Sequence, residues 1–250
     1  MGLVGENGAG KSTTIKLILG MLQKDSGTVS ILGRDSGALT PLDREEIGVV
    51  MDEPGIPACL TARQVSRVMR HTFRHWDDAE YTRLLGKLSL PENKPFGDFS
   101  RGMKMKLGIA IALSHGAKLL LLDEPTSGLD PVVRDEVVEM FCEFTRKEEH
   151  SILISSHIVS DLEKLCDYVA FLHRGKLMLC EEKDELLAAY GLIHCTPEQL
   201  AGLDEKAVRY QKETPWGVEA MVLRRHMPDS FKISPISIEE LFVFMVKEAK

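Results

Sequence analysis

No apolar run in this sequence approaches the roughly 18 residues that a membrane span needs. Runs such as Leu119–Leu122 and Val169–Leu172 are strand-sized. No Cys-x-x-Cys pair occurs. The five cysteines (Cys59, Cys142, Cys166, Cys180 and Cys195) are odd in number and scattered, which argues against a disulfide framework or zinc site and for a reducing compartment. No basic segment leading into an apolar stretch is seen at the start, so no signal peptide is read. Positive charge is in deficit, with 31 Lys and Arg against 38 Asp and Glu and a net charge of −7. General nucleic-acid binding rests on many Lys and Arg contacts to phosphate, so no nucleic-acid partner is expected. What remains is ordinary globular material: 44% hydrophobic and 28% charged residues. A disordered or low-complexity chain is excluded, and 250 residues suffice for one large domain or two small ones.

The pattern along the chain predicts alternating strands and helices. Met1–Val4 reads as the end of a buried strand, and apolar residues at helical spacing predict a helix from about Lys11 to Met21. Thr28–Leu32 and Ile47–Met51 read as strands, the second stopped by Asp52-Glu53-Pro54-Gly55. From Thr61 to about Ser114 the texture is helical, with capping-box patterns at Thr61/Gln64 and Asp77/Glu80. Strands are expected again at Lys118–Leu122 and Ser151–Ser155, with a helix after Pro131 and a short one at Ser160–Leu165. A hairpin is expected around Arg174-Gly175. Beyond Gly191 the signals weaken to a strand at Val218–Leu223 and an amphipathic helix at Ser237–Lys247. The fold class is therefore α/β with a mainly parallel sheet. Residues 1–190 are expected to form the main domain, with a helical subdomain at about 61–115. Residues 191–250 are expected to form a small α+β accessory region. The cluster Arg63, Arg67, Arg70, His71, Arg74 and His75 reads as a solvated helix face, and Arg224-Arg225-His226 as a surface patch at a strand end.

Two stretches carry chemistry. Gly5-Glu6-Asn7-Gly8-Ala9-Gly10-Lys11-Ser12-Thr13 has the P-loop spacing, glycine then four residues then Gly-Lys-Ser, between a strand and a helix. Glycines let backbone N–H groups curl around phosphates, Lys11 neutralises their charge, the Ser12 hydroxyl suits Mg²⁺, and the helix start faces the anion. Leu119–Leu122 then runs into Asp123 and Glu124. Beside a P-loop, Asp123 is placed to hold the Mg²⁺ sphere and Glu124 to activate a water for attack on the γ-phosphate.

The run from Asp123 to Pro131, DEPTSGLDP, resembles the Walker-B and D-loop segment of ABC-type ATPases, and GENGAGKST resembles their Walker A. Phe99-Ser100-Arg101-Gly102-Met103 stands at their signature, and Ser155-Ser156-His157 at their switch histidine. The resemblance covers residues 1 to about 183 and implies the P-loop NTPase fold of an ABC nucleotide-binding domain, with the helical subdomain and the small C-terminal appendage. It implies a homodimer or heterodimer of ATPase subunits with two ATPs between them. Ser100 and Gly102 would meet the γ-phosphate held by the other copy, Asp130 would bridge the copies, and His157 would hydrogen-bond the γ-phosphate and sense its loss. For Ser100 alone, a simple helix N-cap is the commoner role.

The chain also departs from the family pattern. Arg101 occupies a place where the family usually has glycine. Asp52 stands where it has the Q-loop glutamine, and is expected to approach the Mg²⁺ or a water. The first residues enter directly at the P-loop strand, and nothing before Gly5 supplies the adenine-stacking aromatic; under-stacked adenine and an under-covered sheet edge are the expectations. The resemblance extends to ATPase subunits of bacterial peptide, lantibiotic and antibiotic exporters that work with separate permeases. It implies an ATPase coupled to transport, cytoplasmic and peripheral on the inner face of the membrane. A catalytically weak regulatory subunit and a soluble non-transport ABC ATPase are the alternatives.

Overall fold

The computed structural model describes residues 1–52 and 55–248; the strand stop expected at Glu53-Pro54 lies outside them. In chain order, β1 (Gly2–Gly5) leads through the P-loop into α1 (Lys11–Ile18). A two-residue ladder follows, β2 (Ser30–Ile31) with β3 (Arg34–Asp35), then α2 (Pro41–Glu45) and β4 (Ile47–Val50). The helical region holds α3 (Ala62–Thr72), α4 (Asp78–Lys87) and α5 (Arg101–Leu113). Then come β5 (Leu119–Asp123), α6 (Pro131–Phe144), β6 (Ser151–Ser156), α7 (Val159–Leu165), β7 (Tyr168–His173) and β8 (Lys176–Glu182). The remainder is α8 (Lys183–Ala189), β9 (Tyr190–Cys195), α9 (Pro197–Ala201), β10 (Val208–Thr214), β11 (Gly217–Leu223) and α10 (Ile238–Glu248).

Six strands form the main sheet in the order β4-β5-β6-β1-β7-β8. All neighbours pair in parallel except β8, which returns antiparallel from the Arg174-Gly175 turn. A parallel sheet with covered faces needs strands apolar on both sides, and β5 meets this with Leu120, Leu121 and Leu122 all buried. The carboxyl ends of β1, β5 and β6 lie side by side, the usual place for a ligand in such sheets.

The helices are positioned by their caps. Thr61 and Gln64 form a complete capping box on α3. Asp77 accepts from the Glu80 N–H at 2.9 Å, but Glu80 turns its carboxylate to Arg83, so only half of that expected box forms. Tyr81 ties α4 to α3 by donating from its hydroxyl to the Ala62 carbonyl at 3.0 Å. One large core cluster runs from the sheet (Val4, Leu122, Phe171) through α5 and Phe141 to Tyr81 and Leu84 of α4.

Beyond β8 the chain builds a second, antiparallel sheet in the order β10-β11-β9. Strand alternation divides its contacts. Ile193, Cys195, Val218, Ala220 and Val222 form a separate apolar cluster. Leu192 and Met221 join the main core with Ile238, Leu241 and Phe244 of α10. Phe242 meets Phe171 edge to face at 5.3 Å, and the Ile238 N–H donates to the Glu163 carboxylate at 2.9 Å.

Three expectations need correction. The helix after the P-loop ends at Ile18 rather than Met21, because Gly20 takes a left-handed conformation (φ 69°). The strand expected at Thr28–Leu32 shrinks to Ser30–Ile31, because Leu32 and Gly33 both turn at positive φ. Arg224 is not part of a free surface patch: its guanidinium donates to the carbonyls of Tyr190 at 2.8 Å and Ser234 at 3.1 Å. The arginine and histidine cluster of α3 and its following loop is exposed, with Arg63 on Glu92 and Arg70 on Asp78.

Candidate functional site

The P-loop curls because its glycines have no alternative. A Cβ on Gly5 would stand 2.7 Å from the Leu172 carbonyl oxygen, and Gly10 adopts φ 108° at the start of α1. No side chain caps α1, so its first amides are left for an anion. Lys11 is buried and bends back across the loop, donating to the Gly5 carbonyl at 2.7 Å. The β7–β8 turn braces the loop from outside. The Gly175 N–H donates to the Ala9 carbonyl at 3.0 Å.

Asp123 ends β5 with its carboxylate almost fully buried. One oxygen, Oδ1, accepts from the Ser12 hydroxyl at 3.0 Å and from the Ser155 hydroxyl at 2.6 Å. Register puts Ser155 there, since Asp123 and Ser155 are partners across β5 and β6. Glu124 then adopts φ 51°, which is uncommon for a residue other than glycine. Its N–H donates to the carbonyl and hydroxyl oxygens of Ser155, each at 3.1 Å. That turn aims the Glu124 carboxylate into the cleft: Oε1 lies 3.4 Å from Lys11 Nζ, and Oε2 lies 2.5 Å from His157 Nδ1 and accepts from the His157 N–H at 3.2 Å.

Lys11, Ser12, Asp123, Glu124 and His157 line one cleft of about 420 Å³ with Glu6, Asn7, Gly8, Gly10 and Thr13. Asp52 and Arg101 line it too, bonded to each other, so the Asp52 carboxylate expected at a cation rests on a guanidinium here. Ser100, Gly102 and Asp130 do not line it. Ser100 caps α5 by accepting from the Met103 N–H at 3.3 Å, and Asp130 caps α6 by accepting from Val133 at 3.1 Å. Gly102 packs beside Gly128, whose carbonyl oxygen a Cβ would approach to 3.3 Å. The two capped helix starts therefore sit together, with Ser100, Gly102 and Asp130 off the lining of the chain's own P-loop cleft and only Arg101 reaching it. Ser155 and Arg101 lie inside the switch-histidine and signature segments, but their contacts with Asp123 and Asp52 come from strand register and packing and are not readable from those motifs.

The oxygens of Ser12 and Asp123 are hard donors 3.0 Å apart and suit Mg²⁺, which keeps waters and phosphate oxygens in its shell. Among the described residues no cluster of three or more His, Cys, Asp or Glu side chains forms a metal site, so a cation held by Ser12 and Asp123 would need further ligands from outside these side chains.

Residues 1–127 match the family model described as ABC transporter. The chain is 40% identical over 184 residues to the lantibiotic transport ATP-binding protein SrtF of Streptococcus pyogenes, covering 73% of this chain and 78% of that one. It is 39% identical over 180 residues to the bacitracin transport ATP-binding protein BcrA of Bacillus licheniformis, covering 71% and 58%. A solved structure of an ATP-binding subunit of an ABC transporter superposes with a TM-score of 0.64 at 31% identity, covering 74% of this chain and 79% of that one. With a P-loop, a paired Ser12 and Asp123, and Glu124 aimed into the cleft, the chain belongs to the ABC transporter family, as one of its ATP-binding and ATP-hydrolysing subunits.

Proposed function

We propose that this ATPase drives export of a peptide, an antibiotic or a similar compound through a separate membrane permease. The names of SrtF and BcrA support that cargo class. Among the described residues no helix is long and apolar enough to cross a membrane, which fits a subunit held at the inner face of the membrane by its permease. Residues 1–190 act as the ATPase domain and 191–250 as an accessory region. The second sheet and its own apolar cluster support that division, while the shared core supports a buttressing role for α10.

The observation that carries the reading is Glu124, set between Lys11 and His157 beside the Ser12–Asp123 pair. The amides of Gly8 to Thr13 and the Lys11 ammonium hold the phosphates of ATP. Ser12 and Asp123 would hold Mg²⁺, which when bound would supply charge neutralisation on those phosphates. When the phosphates draw Lys11 away, Glu124 is free to accept the proton of an attacking water. The new P–O bond forms as the β–γ bridging bond breaks, leaving ADP and inorganic phosphate. His157 holds Glu124 and reports loss of the γ-phosphate. Ser100 and Gly102 complete the site of a second copy; their position off the lining of their own cleft, at the start of a helix, supports this. Asp130, on the same surface, bridges the copies. Phosphate release from MgATP by the purified chain tests the reading: it is expected to vanish in Lys11→Ala, and equal rates in the two proteins would refute it.

A further inference from the structure

Two residues that depart from the family pattern touch each other. Asp52 stands where the resemblance places glutamine, just beyond β4, and Arg101 stands where it places glycine, as the first residue of α5. Arg101 donates from Nε and Nη2 to one Asp52 oxygen, at 3.2 and 2.5 Å. The two departures are thus one interaction. It ties the start of α5, with Ser100 and Gly102, to the edge of the chain's own nucleotide cleft. We propose that the Asp52–Arg101 pair is a positioning latch that holds the signature end of α5 on its own chain until nucleotide enters.

The electrostatics suit a contact that must open. The Asp52 and Arg101 side chains are 53% and 63% exposed, so the pair is weak and screened by salt, and separating it strands no buried charge. A triphosphate in the same cleft repels Asp52 and attracts Arg101, so nucleotide entry itself loosens the tie. Glu124, Lys11 and His157 face the same space but already satisfy one another, which leaves Arg101 as the partner for Asp52. The proposal rests on the two-copy reading above, because only there must the start of α5 reach another molecule.

The test uses the full-length protein without nucleotide and follows hydrogen exchange in the first turn of α5. Asp52→Asn and Arg101→Gln are each expected to raise exchange there by about two- to fivefold, the size of an exposed ion pair. The reversed pair, Asp52→Arg with Arg101→Asp, is expected to restore native exchange, and 1 M salt to give the native protein the behaviour of the single variants. Equal exchange in all forms, or a reversed pair no better than the single variants, would overturn the latch. A second measurement separates the two readings. In a Glu124→Gln background, Asp52→Asn is expected to lower the ATP concentration for half-maximal dimerisation by a similar factor. If exchange responds as stated but no dimer forms at any ATP concentration, the two-copy reading fails while the intrachain tie stands.

Discussion

Lys11 and Glu124 lie 3.4 Å apart across the cleft, so the cation proposed to bind phosphate and the carboxylate proposed to activate water hold each other. In the proposed mechanism nucleotide separates them, and the same separation frees Glu124 for chemistry. Removing the charge of Glu124 therefore acts on two steps in opposite directions. Glu124→Gln is expected to bind ATP several-fold more tightly and to lower turnover by about 10²- to 10⁴-fold, the range of a positioned general base. Nucleotide titration and single-turnover phosphate release measure the two effects. Unchanged turnover would remove Glu124 from the mechanism.

Ser12 gives its hydroxyl to Asp123 at 3.0 Å, and Ser155 gives a second one to the same oxygen. Ser12→Ala leaves Asp123 with the Ser155 bond, so the fold is expected to survive. The loss is expected in cation-assisted binding: ATP affinity with Mg²⁺ falls about tenfold, while affinity in EDTA barely changes. Titrations with and without Mg²⁺ check this. Ser155→Ala instead weakens a buried carboxylate and the Glu124 turn, and is expected to destabilise the protein by about 1–3 kcal/mol in denaturant unfolding.

His115 is buried against Phe73, its ring nitrogens 2.9 Å from the Ile111 carbonyl and 3.3 Å from that of Ile47. Burial pushes it below its ordinary value, outweighing the two carbonyls that favour the proton. Unfolding then takes up a proton below the ordinary histidine value of about 6.5. This stabilising contribution is complete above that pH and is lost as pH falls toward the depressed folded value. The thermal midpoint is expected to drop between pH 7 and pH 5, and less steeply in His115→Gln, which keeps a donor without titrating. Identical slopes would contradict this.

Gly5 shows how tightly the P-loop is braced. A methyl group there would lie 2.7 Å from the Leu172 carbonyl oxygen and 3.0 Å from the Ala9 Cβ, and neither is a flexible end. Gly5→Ala is expected to cost about 1–3 kcal/mol, the usual penalty for overpacking, and to weaken ATP binding by distorting the loop. Denaturant midpoints and nucleotide titration report the two effects separately.

The site was legible in the sequence where its residues are neighbours in the chain. Gly5 to Thr13 and Asp123-Glu124 announce themselves because strand, turn and functional group follow without a gap. Ser155 does not, since its role depends on β6 lying beside β5 in a register that brings it opposite Asp123. Arg101 and Asp52 were visible only as two separate oddities; packing of α5 joins them. The fold divides in the same way. The parallel strands and the capped helices were readable from apolar runs and from Thr61, Ser100 and Pro131. The strands β9 and β10 were not. Helix α8 passes into β9 at Ala189–Tyr190 with no glycine or proline between them, and β10, Val-Arg-Tyr-Gln-Lys-Glu-Thr, is a polar edge strand with little apolar signal.

The central claim is that Ser100 and Gly102 serve the nucleotide of a second copy. The most direct measurement is sedimentation of Glu124→Gln, which should retain its ATP. With ATP and Mg²⁺ the sedimenting mass is expected to double, and adding Ser100→Arg to the same background should abolish the dimer while ATP binding persists. A protein that stays monomeric at saturating ATP, or a dimer indifferent to Ser100→Arg, would contradict the account.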